Sequence, residues 1–93
     1  MGVLTHRLWT RTLTDSAITI NDDQGVFKLI IQNDSAVDGI FSGDYEALNG
    51  VAGGNIYVEQ GNKFELQMPN GSVFTGVTIT APAGCTLKII GVI

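Results

Sequence analysis

SVFTGVTITAPAGCTLKIIGVI, from Ser72 to Ile93, is the stretch that decides the fold class. Val73, Thr75, Val77 and Ile79 fall on one side of an extended chain, with Phe74, Gly76, Thr78 and Thr80 on the other. Past Ala81-Pro82-Ala83-Gly84 the alternation resumes, Cys85, Leu87, Ile89, Gly91 and Ile93 opposing Thr86, Lys88, Ile90 and Val92. Successive side chains of a strand point to opposite faces, so a period of two on both sides of a Pro/Gly break predicts a β-hairpin. The apolar end at Val92-Ile93 predicts a last strand held inside a sheet or against a neighbouring subunit.

The same period recurs in short pieces towards the amino terminus. Lys63 to Met68, KFELQM, sets Phe64, Leu66 and Met68 against Lys63, Glu65 and Gln67, the cleanest one-face-in pattern of the chain. Pro69-Asn70-Gly71 closes it with a turn, and Gly61-Asn62 separates it from IYVEQ at Ile56 to Gln60. Val26 to Gln32 is apolar on both sides, which predicts a central strand, and NDDQG at Asn21 to Gly25 predicts a hairpin linking it to Ser16 to Ile20. Asn33-Asp34-Ser35 reads as a break, Val37 to Ser42 and Tyr45 to Leu48 as a strand pair or kinked strand, and Asn49 to Asn55 as a loop. Val3 to Thr14 has no clearly apolar face and reads as an edge strand or arm. About eight short strands with turn clusters every eight to twelve residues, and no helical pattern, predict an all-β, single-domain antiparallel β-sandwich or jelly roll. Residues 1–14 form its edge strand or arm, and residues 15–93 its body.

Charge limits what such a domain can contact. Ionised residues make up 15% of the chain, against about 25% in an ordinary soluble domain, while the apolar share is 44%. A chain of 93 residues has proportionally much surface, so this balance predicts that part of its outside is covered in an oligomer or larger assembly. Met1 to Thr14 carries only Arg7 and Arg11, a net +2; beyond it Lys28, Lys63 and Lys88 face all nine acids, a net −6. An acidic body disfavours nucleic acid as the main partner. The apolar runs are too short to cross a bilayer, and His6, Arg7 and Arg11 interrupt any secretion signal.

No catalytic constellation emerges. The single histidine, His6, has no Ser-centred elbow to serve, and Cys85 opens an apolar strand where an inert buried thiol is the ordinary state. Asp22/Asp23 and Asp38/Asp44/Glu46 sit in turn contexts without the alternating spacing of a calcium loop, and no His/Cys cluster suits a transition metal. The chain is therefore expected to be no enzyme, with no cofactor and no metal. Trp9 between Arg7 and Arg11 reads either as a contact patch, since Trp and Arg are favoured at interfaces, or equally as a Trp capping one end of the fold with Arg stacked over it. The alternative is a glycan-binding module in which Trp9, Tyr45 and Tyr57, with Asn49 and Asn55, stack on and hydrogen-bond a sugar.

GGNIYVEQGNKFELQM followed by NGSVFTGVTITAPAGCTLKIIGVI, covering Ile56 to Ile93, resembles the small Thr/Gly/Val-rich β modules of tailed-phage virions, namely head decoration (cement) proteins and tail accessory subunits. What the resemblance implies is a non-enzymatic subunit that assembles symmetrically with copies of itself and docks on a larger virion protein. Its place would be the virion, assembled in the host cytoplasm. Small virion subunits often lend an edge strand to a neighbour, a use that suits Val3 to Thr14. The expected contact residues are Leu8, Trp9 and Arg11, together with the apolar end at Ile90, Val92 and Ile93.

Overall fold

A computed structural model describes residues 7–43, 55–69 and 71–93 of the chain. Its elements are β1 (Leu8–Ile20), one 3₁₀ turn (Asp22–Gln24), β2 (Lys28–Asn33), β3 (Gly39–Ser42), β4 (Asn55–Val58), β5 (Lys63–Gln67) and β6 (Val77–Val92). The all-β antiparallel expectation holds. In place of about eight strands in a sandwich or jelly roll, the described residues form one six-stranded sheet, ordered β4-β3-β6-β2-β5 with β1 added along β6. Tyr45 to Leu48 lies outside the described residues.

The expected hairpin at Ala81 to Gly84 is absent, because the chain does not reverse there. β6 runs on for 16 residues, and β1 follows it on both sides of the break: Thr14 stands opposite Thr86 and Ser16 opposite Ala81. Five steps along β6 are thus matched by two along β1, leaving Pro82 to Cys85 as an outsized bulge. Proline lacks the N–H a central ladder requires, and a bulge is where a strand tolerates it. Gly84 takes a left-handed φ of 83° and donates its amide to Asp15 Oδ1 at 3.0 Å. Asp15 is itself left-handed at φ 50°, so both strands turn the corner together.

That corner forks the sheet. Before it, Thr78 to Thr80 pairs with β3; after it, Leu87 to Val92 pairs with β2. β4 extends the first wing and β5 the second, and the two wings fold face to face. Phe41 of β3 meets Phe64 of β5 at 5.4 Å between ring centroids, and Phe74 edge-on at 6.4 Å. Leu29, Ile31, Ile79, Leu87 and Ile89 fill the space between, all at most 1% exposed. The curl brings the two ends of β6 within reach of one dipeptide: Val26 O accepts from Phe74 N–H (2.8 Å), and Phe27 N–H donates to Val92 O (3.0 Å).

Two further expectations are corrected here. NDDQG does not close a hairpin, since β1 and β2 lie on opposite sides of β6 and its 3₁₀ turn belongs to a crossover. Val26 to Gln32 is central, but its expected burial on both sides holds only in part: Val26, Leu29 and Ile31 are sealed, while Lys28 and Ile30 are half-buried and Gln32 exposed.

Asn33 shows why the wings stay together. Its side chain is fully buried at the end of β2, where an unpaired amide would cost about 1–3 kcal/mol. Nδ2 donates to Val37 O (2.8 Å) and Val58 O (2.9 Å), while Oδ1 accepts from the amide (3.0 Å) and hydroxyl of Ser35. Ser35 Oγ in turn accepts from the amide of Thr86 at 3.2 Å. One amide therefore ties β2, the following loop, β4 and, through Ser35, the β6 corner.

Candidate docking surface

β1 lies at the edge of the sheet and, among the described residues, pairs with β6 alone. Its two neighbouring faces differ in kind. Trp9, Arg11 and Leu13 stand opposite Gly91, Ile89 and Leu87, the row that faces the core. Leu8, Thr10, Thr12 and Thr14 stand opposite Val92, Ile90, Lys88 and Thr86 on the outer face.

The outer rows continue across the sheet. Leu8 aligns with Val92 and then Lys28; Thr10 aligns with Ile90, Ile30 and Glu65; Thr12 aligns with Lys88, Gln32 and Lys63. Leu8 is 67% exposed, and Ile30, Ile90 and Val92 are half-buried around it. Beside them Thr10, Thr12, Ile30, Gln32, Lys88 and Ile90 frame a shallow depression of about 240 Å³. Of the residues expected at a contact, Leu8, Ile90 and Val92 therefore share one face. Ile30 belongs with them, and its place beside Ile90 follows only from the β2–β6 pairing.

Trp9 and Arg11 point the other way. Trp9 packs against the core over Gly91, where an added Cβ would come 3.0 Å from Trp9 Cε3. The Arg11 guanidinium caps that ring at 5.5 Å from its centroid, a cation–π arrangement at the sheet's rim. Ile93 is 38% exposed and anchored by a reciprocal pair, its N–H donating to Arg7 O (2.8 Å) and its O accepting from Arg7 N–H (3.3 Å). The apolar carboxyl end is thus held inside the sheet, between β1 and β2.

Of the residues named for a glycan, the two whose side chains are described, Trp9 and Tyr57, do not converge. Tyr57 is 58% exposed on β4 and shares the outer face with Ile40 and Thr80, opposite to the face of Trp9. Tyr45, Asn49 and the side chain of Asn55 lie outside the described residues. Two aromatic rings on opposite faces of a sheet cannot stack on the same sugar.

Acid–base chemistry fares no better on the described surface. Cys85 is sealed in the core, and no three His, Cys, Asp or Glu side chains gather as a cation site among the described residues. Asp38 accepts the Gln60 amide at 3.0 Å, a structural use of one loop carboxylate. His6, Asp44 and Glu46 lie outside the described residues. Glu65 is held below its ordinary range, chiefly by a hydrogen bond from Lys63 (3.0 Å) and then by that ammonium's charge; the pair is open to water on the outer face. Among the described residues no helix is long and apolar enough to cross a membrane. The chain was compared with protein-family models, with curated proteins and with solved structures, and none of the three comparisons gives a match.

Proposed function

We propose that the chain is a non-enzymatic assembly module, a β subunit that associates with copies of itself and docks on a larger particle. The observation that carries this reading is the β1 edge: a 13-residue strand with one partner among the described residues, bordered by exposed Leu8 and the half-buried Ile30, Ile90 and Val92. Monomeric proteins blunt long edges with proline, lysine or a covering loop, because unpaired N–H and C=O groups template association. β1 contains neither residue, and its only charged side chains are Arg11 and Asp15. The composition argument points the same way, since 15% ionised residues leave much of the outside suited to burial.

The specific form we propose is an accessory subunit of a tailed-phage particle, on the head or the tail, assembled in the host cytoplasm and carried in the virion. The likeness of Ile56 to Ile93 to such modules supports it. No reaction, cofactor, membrane or nucleic acid belongs to this reading.

Light scattering across a concentration series tests the assembly claim. A closed oligomer is expected at micromolar protein, and Leu8→Lys should weaken it while leaving the far-ultraviolet spectrum unchanged. A particle that stays monomeric throughout the series rejects the reading. Point variants are preferable to deleting Met1 to Thr14, because that deletion would strip β6 of its partner from Thr86 to Val92.

A further inference from the structure

Hydrogen-bond parity along β1 says which groups the free edge offers. Residues facing each other in an antiparallel ladder alternate between pairs that exchange both bonds and pairs that exchange none. Arg7 and Ile93 exchange both. Stepping by two along the β1–β6 register, Trp9, Arg11 and Leu13 spend their backbone groups on β6. The N–H and C=O of Leu8, Thr10, Thr12 and Thr14 consequently point away from β6, towards an edge that no other described strand occupies. Past Thr14 the corner at Asp15 interrupts the ladder, so the usable edge is one regular run of seven residues.

We infer that this run pairs antiparallel with the same run of a second copy, about a two-fold axis through Thr10. The inference deepens the assembly reading and rests on it. An antiparallel edge is its own complement, and with the axis perpendicular to the sheet both outer faces stay on one side. Any residue of the run can lie on the axis, but only three centres, Thr10, Arg11 and Thr12, oppose three or more pairs of outward-pointing residues within it. An axis at Arg11 sets two guanidinium-bearing residues directly opposite each other, in the closer, non-bonded type of pair, and like charges there are destabilising. An axis at Thr12 sets Arg11 against Leu13, a side chain already 4% exposed in its own core and with little surface to share. An axis at Thr10 sets Arg11 against the partner's Trp9 and Trp9 against the partner's Arg11, repeating across the axis the cation–π contact already made within one chain. Leu8 then faces the partner's Thr12, and about six backbone bonds join the two strands. The outer patches of Leu8, Ile30, Ile90 and Val92 become parts of one larger sheet face, a footing for a bigger partner.

Single cysteines read the axis directly, since only the residue on it meets its own copy; Cys85 is buried and does not compete. Under mild oxidation of the full chain, Thr10→Cys is expected to form a covalent dimer, with Arg11→Cys and Thr12→Cys each at least tenfold slower. Thr10→Pro removes an outward N–H and should raise the concentration needed for association at least tenfold, while thermal melting shows a folded protein. Arg11→Pro removes an inward N–H and should lower the melting temperature instead. If the wild type associates but Thr10→Cys cross-links no faster than the other two, the axis is wrong while the assembly reading stands. If Thr10→Pro folds and associates like the wild type, strand addition at β1 is wrong. A wild type that never associates removes both.

Discussion

β6 and β1 are the two longest strands and lie side by side on both sides of the bulge, yet they are built to opposite ends. β6 is paired on both sides, and every second residue from Val77 to Ala81 and from Cys85 to Gly91 is buried. β1 is paired on one side and buries only Leu13 and Ile20. The difference teaches that a strand's place in the sheet, more than its length or its alternation, sets what its side chains contribute. Leu87 and Leu8 make the sharpest contrast, since both are leucines of this strand pair, one fully buried and the other 67% exposed. Leu87→Ala is expected to cost about 3–4 kcal/mol through lost burial and the cavity left behind, and Leu8→Ala no more than about 0.5 kcal/mol. Urea unfolding of the two variants measures both. Equal losses would mean that β1 is as much a part of the core as β6.

Asn33 extends the contrast from apolar to polar groups. Asn33→Leu keeps the volume roughly constant and takes the Asn33 bond from Val58 O and the Ser35 amide, leaving Val37 O with the longer bond from Ser35 Oγ (3.3 Å). A loss of about 2–3 kcal/mol is expected, with faster amide exchange at the β6 corner, because unmade buried bonds carry the full desolvation penalty. If exchange rises only in residues 34–38 and not at Thr86, the link through Ser35 is not holding the corner.

Gly39 tests how tightly the wings close on β6. A Cβ there would stand 2.7 Å from Leu87 Cδ1 and 2.8 Å from Cδ2, and Leu87, being fully buried, has nowhere to move. Gly39→Ala is expected to cost about 2 kcal/mol by overpacking. In the Leu87→Ala background the clashing atoms are gone, so the same substitution should cost much less. A double-mutant cycle reports the coupling, and strict additivity would deny the contact.

Much of this was readable in the residues. The alternation of Cys85, Leu87 and Ile89 marks the core side of β6, and that of Phe64, Leu66 and Met68 the inner side of β5, because period two survives any change of neighbour. What the wings do was not readable. Ala81-Pro82-Ala83-Gly84 satisfies a reversing turn and a bulge equally well, and only the partner strand, with Asp15 placed to accept the Gly84 amide, decides between them. Asn33-Asp34-Ser35 looks like any turn, and nothing local reveals that Asn33 ends up beside Val58, a contact made across 25 positions. Among the contact residues, the outer location of Leu8, Ile90 and Val92 follows from parity alone. Trp9 between two arginines reads equally as a contact residue and as a ring packed on the fold under a stacked Arg, and only the small Gly91 opposite, which leaves room for the ring to lie inward, favours the second.

The smallest effect belongs to another edge of the described sheet, β5, where the Lys63–Glu65 pair faces water. The Lys63 hydrogen bond and charge hold the Glu65 carboxyl below its ordinary range, with a minor contribution from Lys28 against a small desolvation that raises it. A carboxyl whose folded value is depressed contributes stability above its unfolded value, and loses it as the pH falls through the folded value. The difference in melting temperature between the wild type and Glu65→Gln should therefore be slight but favour the wild type at neutral pH, and vanish in acid. It should also fade in molar salt, since exposed pairs are screened and contribute little. A gap that widened in acid would reverse the sign and show Glu65 to be stabilised in its protonated form. A gap insensitive to salt would place the pair in a drier setting than its exposure allows, so that β5 would resemble β6 more than β1.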